Sequence, residues 1–214
     1  MAISFAKTAG AAQKNDGYKY KDGEQTLRIF GGVMPKYTYW LKGTNNKDIP
    51  LECLSFDRDL EKFTNAEVDH VQSKFPELKC AWAYEIMCLD PTDGKTKILH
   101  LKKKLFGQIM DARADLGDPT DLDTGWDINF KKTKTGPAAF NVEYTLNVLR
   151  CKVRALSEGE RAAIAASKTI DELIPRLTAE DQLVLINKIK NGTSEDNKTG
   201  TPTAGDVPEE AADL

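Results

Sequence analysis

Apolar and polar side chains alternate along residues 126–148 with few interruptions. Trp126, Ile128 and Phe130 mark one run, and Phe140, Val142, Tyr144, Leu146 and Val148 the next. A period of two puts every second side chain on one face of a strand, so these runs predict a hairpin that turns at Gly136. The signature recurs in CAWAYEIMCLDPTDGKTKILHL, with DPTDGKT as the turn, and in KYTYWLKGTNNKDIPLECLSF, with a polar turn at 43–48. Leu27 and Ile29 predict a short strand near residue 26 that ends at the Gly31-Gly32 corner. Helical spacing appears in two places. Val68, Val71 and Phe75 predict a helix over 66–75 closed by Pro76, and Leu105, Ile109 and Ala112 predict one that ends at Gly117. Past Cys151 the pattern is helical: Ser157 and Glu160 have capping-box spacing, Thr178 and Asp181 a looser version, and Leu183, Ile186 and Ile189 share a face.

In chain order this is strand, hairpin, short helix, hairpin, helix, hairpin and helical lobe. The order predicts a mainly β fold with helices, an OB-fold-like Greek-key barrel core. A plain α+β sandwich is the alternative. The expected divisions are a flexible N-terminal arm over 1–25, the core over 26–155, a helical lobe packed on it over 156–191, and a disordered acidic tail over 192–214.

Composition narrows the classes. The hydrophobic content is 40% and the charged content 29% of 214 residues, as in ordinary globular chains. No apolar run reaches the ~18 residues of a membrane span, and the polar start lacks the apolar core of a signal peptide, so a cytoplasmic location is expected. Cys53, Cys80, Cys88 and Cys151 are widely spaced and read as reduced thiols. The net charge of −3 is uneven: 192–214 holds six acids and one lysine, and the rest holds 29 bases against 27 acids. A mildly basic body with an acidic tail is the result.

No catalytic constellation assembles. There are two histidines, His70 and His100, and no phosphate-binding or nucleophile motif. Asp118, Asp121, Asp123 and Asp127 superficially suggest a cation loop without the full pattern, and would serve a divalent-ion nuclease if they converged. Cys53, His70, Cys80 and Cys88 are the possible zinc ligands. Structural zinc sites usually include two cysteines within one turn, which this spacing lacks, so no cofactor is expected. Single-strand nucleic-acid binding uses more of the pattern, because it needs basic grooves for phosphates and aromatic faces for bases. Tyr37, Tyr39, Trp40, Trp82 and Tyr84 are the candidate stacking residues. Lys42, Lys102, Lys103, Lys104, Lys131, Lys132, Lys134, Arg150 and Lys152 are the candidate phosphate contacts. In YTYWLK only one of the two alternating sets can be core. The rival reading is an adaptor whose basic hairpin docks an acidic protein.

With these pieces in order, the chain resembles the single-stranded DNA-binding proteins of T4-type and related bacteriophages. Asp90-Pro91, the run Lys102, Lys103 and Lys104, Asp118-Pro119, Gly125-Trp126-Asp127 and the Lys131-to-Gly136 turn occupy the family's motif positions over about half the chain. The resemblance implies sequence-independent binding of single-stranded DNA in an OB-fold cleft, and a role in replication, recombination and repair. It also implies an N-terminal arm for self-association on DNA, and an acidic C-terminal segment (Asp206, Glu209, Glu210, Asp213, Leu214) that recruits phage replication proteins. Zinc-bearing members carry a close cysteine pair, and this chain does not, so a zinc-free version is expected.

Overall fold

The structure, a computed structural model, describes residues 17–137 and 141–191. Phe140, most of the proposed arm and the whole of the proposed tail lie outside these residues, including Asp206, Glu209, Glu210, Asp213 and Leu214. The chain runs through β1 (Gly23–Lys42), β2 (Asp48–Glu52), β3 (Phe56–Asp57), β4 (Lys62–Phe63), α1 (His70–Lys74), β5 (Ala81–Asp90), β6 (Lys95–Leu101), α2 (Lys103–Leu116), β7 (Trp126–Lys134) and β8 (Val142–Leu146). A 3₁₀ turn at Val148–Arg150 and β9 (Lys152–Val153) follow, then α3 (Glu158–Ala165), α4 (Ile170–Leu173) and α5 (Ala179–Asn191).

One antiparallel sheet in the order β6-β5-β1-β7-β8 dominates. Its pivot is β1, 20 residues long, which pairs with β7 over Gly23–Leu27, with β5 from Arg28 to Thr38, and with β2 from Thr38 onward. The expected strand end at Gly31-Gly32 is instead a bulge between Phe30 and Met34, where Gly31 adopts φ 75° and the strand continues. A three-stranded meander (β1–β5–β6), a helix and a returning hairpin (β7–β8) that shares β1 form an OB-fold-like, partly open Greek-key barrel. The mainly β class expected from the alternation is the one observed.

The barrel core holds Leu27, Ile29, Ile86, Cys88, Leu99, Leu105, Ile109, Trp126, Ile128, Phe130, Tyr144 and Leu146, so the predicted faces of β7, β8 and α2 point inward. Val148, expected on the same face, is instead exposed, because β8 ends at Leu146 and a 3₁₀ turn takes over. The other side of the meander is also covered: Phe30, Met34, Met87, Leu89 and Ile98 pack with Ile170, against Ala163, Ile164 and Leu173 of α3 and α4. A third cluster joins Tyr39, Leu41, Leu51, Cys53, Phe56 and Val71 to Ile186 and Ile189 of α5. Ser157 and Thr169 both cap their helices in complete capping boxes.

Two further expectations are corrected, and one buried residue is unforeseen. The fold begins before residue 26: Tyr18 is buried, its amide donates to the Ile98 carbonyl (2.7 Å), and the Tyr20 hydroxyl donates to the His100 carbonyl (2.7 Å). Residues 17–21 thereby line β6, beside which no second strand partner lies among the described residues. The helix expected over 66–75 starts at His70, because the Asp69 carboxylate accepts from the amides of Val71 and Gln72; Val68 is left exposed. In α5 the residue most completely buried is Gln182. It accepts from His70 N (2.7 Å) and donates to the Glu52 carbonyl (2.9 Å), tying α5 to α1 and β2.

Candidate nucleic-acid interface

Register decides which side chains meet. Phe130 faces the barrel core, so Lys132 and Lys134 share its side of β7, and Lys132 lies directly opposite Tyr144. Lys131 projects from the other side, opposite Thr145 and Glu24. On β5, Tyr84 shares the face of Ile86 and Cys88, and Trp82 extends it to the strand's end. Tyr37 lies directly opposite Trp82 on β1 and so faces the same way.

These parities set three groups of aromatic rings in a row where the barrel face reaches solvent. Trp82 meets Tyr84 edge-on (centroids 3.6 Å apart), Tyr84 meets Phe106 at 4.4 Å, and Tyr20 meets Tyr144 at 4.8 Å and Phe130 at 5.6 Å. Tyr20, Tyr84, Phe106 and Val142 form the half-buried rim of the barrel core. At the β2 side, Tyr37 packs against Phe56 and Phe63, each at 4.8 Å. Cations stand over the row: the Lys103 ammonium lies 6.0 Å from the Trp82 ring centroid and that of Lys102 lies 5.9 Å from the Tyr20 ring. Lys132 is held by Asp22 at 3.2 Å, and Lys104, on the exposed side of α2, is paired with Glu143.

The sequence candidates therefore divide. Tyr37, Trp82, Tyr84, Lys102, Lys103, Lys132 and Lys134 share one face. Tyr39 is only 3% exposed, packed in the α5-side cluster with its hydroxyl 3.4 Å from Cys53 Sγ, and acts as a core residue. Trp40 and Lys42 point to the opposite side of β1 by alternation. Lys131, Arg150 and Lys152 belong to the outer side of β7, where Arg150 pairs with Glu24 and Lys152 lies opposite Asp127. Phe106, Tyr20 and Phe63 are aromatics that the strand pattern does not single out, and Tyr144 is read from it only as an inward-facing residue. Their signal was present only as lone aromatics in a helix, an arm, a core run and a loop.

The remaining candidate residues lie outside this row, each with partners of its own. Cys88 is buried in the barrel core, whereas Cys53 and Cys80 belong to the α5-side cluster. A hydrogen bond to Cys80 and then burial raise the Cys53 thiol, and the same bond lowers Cys80. Among the described residues no three His, Cys, Asp or Glu side chains converge on a possible metal. The acidic loop is committed too. The Asp121 carboxylate accepts from the amides of Asp123 (2.8 Å) and Thr124 (2.7 Å), Asp118 accepts from Thr120, and Asp123 pairs with Arg161. Asp127 joins buried Arg28 to Arg154. Gly125 is required there, since a Cβ would overlap the Asp121 carbonyl oxygen and come within 2.9 Å of the Pro119 carbonyl oxygen. On the outer side of the meander, Glu85 is fully buried between Lys36 and His100 Nδ1 (2.9 Å). Burial raises its pKa, but His100 and Lys36 outweigh that and bring it down to about 2.

No helix among the described residues is long and apolar enough to cross a membrane. No family model matches the chain. No solved structure matches it either. Over 158 residues the chain is 30% identical to a "Probable ssDNA-binding protein" of Escherichia phage T5, a match that takes in 67% of this chain and 59% of that protein. The chain thus spans less than two thirds of the relative it matches, and the resemblance to phage single-stranded DNA-binding proteins read from its motifs is borne out by that relationship.

Proposed function

We propose that the chain binds single-stranded DNA without sequence preference, laying bases on the Tyr37–Trp82–Tyr84–Phe106 row and phosphates on Lys102, Lys103, Lys132 and Lys134. The observation that carries this reading is the placement of aromatics and cations on one face of β5, α2 and β7. In OB barrels the faces of the second and third strands, with the loops joining strands one to two and four to five, bind oligonucleotides. Here those are β5 and β6, the segment 43–80 and the lysine turn after β7. The name of the phage T5 relative supports the same ligand. Stacking and phosphate contacts carry no base code, so discrimination among sequences is weak. In this reading the protein protects single strands during phage replication, recombination and repair, and the acidic 192–214 segment recruits replication proteins.

Fluorescence anisotropy of labelled oligo-dT and of a matched duplex, each at low and moderate salt, tests the reading. Salt-sensitive binding of the single strand alone is expected. Equal binding of both, or none, would overturn it.

A second reading has an observation of its own. Val148, Leu149 and Val153 are 44%, 98% and 55% exposed, next in the chain to Arg150 and Lys152. This surface fits an acidic protein partner carrying an apolar anchor. In that case Leu149→Ser abolishes capture of a replication protein and leaves oligo-dT binding intact.

A further inference from the structure

The β3–β4 hairpin is small and unusually built. Only two residue pairs hold it, Phe56 opposite Phe63 and Asp57 opposite Lys62. Yet it exposes two large apolar side chains, Leu60 at 60% and Phe63 at 50%. Two of the three non-glycine residues with positive φ in the described chain flank its second strand: Glu61 at 48° and Asn65 at 51°. A left-handed residue with a Cβ costs roughly 1–2 kcal/mol, and persists only where the surroundings impose it. They do here. The Asp57 carboxylate accepts from the amides of Asp59 and Leu60, both at 2.9 Å, and the Ser55 carbonyl accepts from Thr64 (3.0 Å) and Asn65 (3.3 Å). The result is a fixed hairpin whose strained backbone presents a half-exposed ring.

That ring continues the aromatic row. Phe63 meets Tyr37 at 4.8 Å and 61°, and Phe56 at 5.3 Å and 64°. Tyr37 in turn lies directly opposite Trp82. Two edge-on neighbours support the ring on its inner side, and solvent meets the rest. Lys62, next in the chain, is exposed. An apolar ring held by its neighbours beside an exposed cation has the makings of a stacked base beside its phosphate.

We propose that Phe63 forms a further nucleobase subsite, with Lys62 taking the adjoining phosphate, so that the single strand continues from Trp82 past Tyr37 onto the β3–β4 hairpin. The inference rests on the reading that the aromatic row takes single-stranded DNA. It assigns a binding role to a loop that the strand pattern left without one.

The test compares the full chain with Phe63→Leu, Phe63→Tyr and Lys62→Gln, titrated with oligo-dT of increasing length. Phe63→Leu keeps an apolar contact but removes the aromatic face. It is expected to weaken binding of long oligo-dT about 5- to 150-fold, the range for one stacked base. Its affinity should also stop rising at a shorter oligonucleotide than for the unmodified chain. Phe63→Tyr keeps the ring and should bind as the unmodified chain does, which separates lost stacking from lost packing. Lys62→Gln should flatten the plot of log affinity against log salt by about 0.7. Phe63→Leu that binds like the unmodified chain at every length overturns the subsite, as does Phe63→Tyr that binds as poorly as Phe63→Leu. If the unmodified chain fails to bind oligo-dT, the proposed function itself falls.

Discussion

Lys131 and Lys132 are neighbours in sequence and point to opposite sides of β7, which makes them a sensitive pair of probes. Lys132 lies opposite Tyr144, and its side chain is 20% exposed; its ammonium is 3.2 Å from the Asp22 carboxylate, whose side chain is 82% exposed. In the proposed binding mode, a phosphate arriving along the aromatic row meets Lys132 and displaces Asp22. Each phosphate neutralised on a single strand contributes about −0.7 to the slope of log affinity against log salt. Lys132→Gln should therefore flatten that slope by about 0.7, whereas Lys131→Gln should change it by much less. Asp22→Asn acts in the other direction. An exposed ion pair is worth roughly 0.2–1 kcal/mol before screening, so freeing Lys132 should tighten oligo-dT binding at low salt by about 1.4- to 5-fold. The assay is anisotropy with labelled oligo-dT at four or more salt concentrations. Equal slopes for Lys131→Gln and Lys132→Gln, or weaker binding by Asp22→Asn, would refute the assignment of faces.

Other consequences follow from the packing. Glu85 has its pKa lowered from 4.5 to about 2, so the stability it contributes is fully present above pH ~4.5 and is lost as pH falls toward 2. That contribution is on the order of 3 kcal/mol, and Glu85→Gln, although less stable at pH 7, should show a shallower loss of thermal midpoint between pH 5 and pH 2. Gly125→Ala should lower stability by about 2 kcal/mol or more, because the atoms crowding a Cβ include the backbone carbonyls of Asp121 and Pro119; an unchanged thermal midpoint would contradict the close approach. Dialysis against a strong chelator should leave the thermal midpoint unchanged, since Cys88 lies in a different cluster from Cys53 and Cys80; a marked fall would mean that a metal is held after all. Trp82→Ala should weaken oligo-dT binding by about 5-fold or more if a base stacks there, with anisotropy as the readout.

Period-two alternation made β5, β6, β7 and β8 legible, and helical spacing did the same for α2 with its end at Gly117, because each element sets apolar side chains at its own period on the face that packs into the barrel core. The limits were equally physical. Tyr18 and Tyr20 sit in a polar run with two apolar anchors, too few to register as a pattern, although both hydrogen-bond to β6. Gly31-Gly32 reads as a stop, but pairing with β5 on both sides of the bulge carries the strand through. Gln182 is polar at a core position because two backbone groups and the Asp69 carboxylate need its amide, which no periodicity reveals. The lysine turn was legible as positive charge. Its division between two faces was not, because that depends on which neighbours of β7 are buried. Phe106 and Phe63 escaped as row members because the row is assembled from a helix, a loop and two strands.

The most direct test of the central claim is ultraviolet cross-linking of the full chain to oligo-dT, followed by mass spectrometry of the linked peptides. Cross-links concentrated at Trp82, Tyr84 and Phe106, lost on raising salt, are the predicted result. Cross-links confined to residues 148–153, or none at an oligonucleotide concentration that saturates anisotropy, would contradict it.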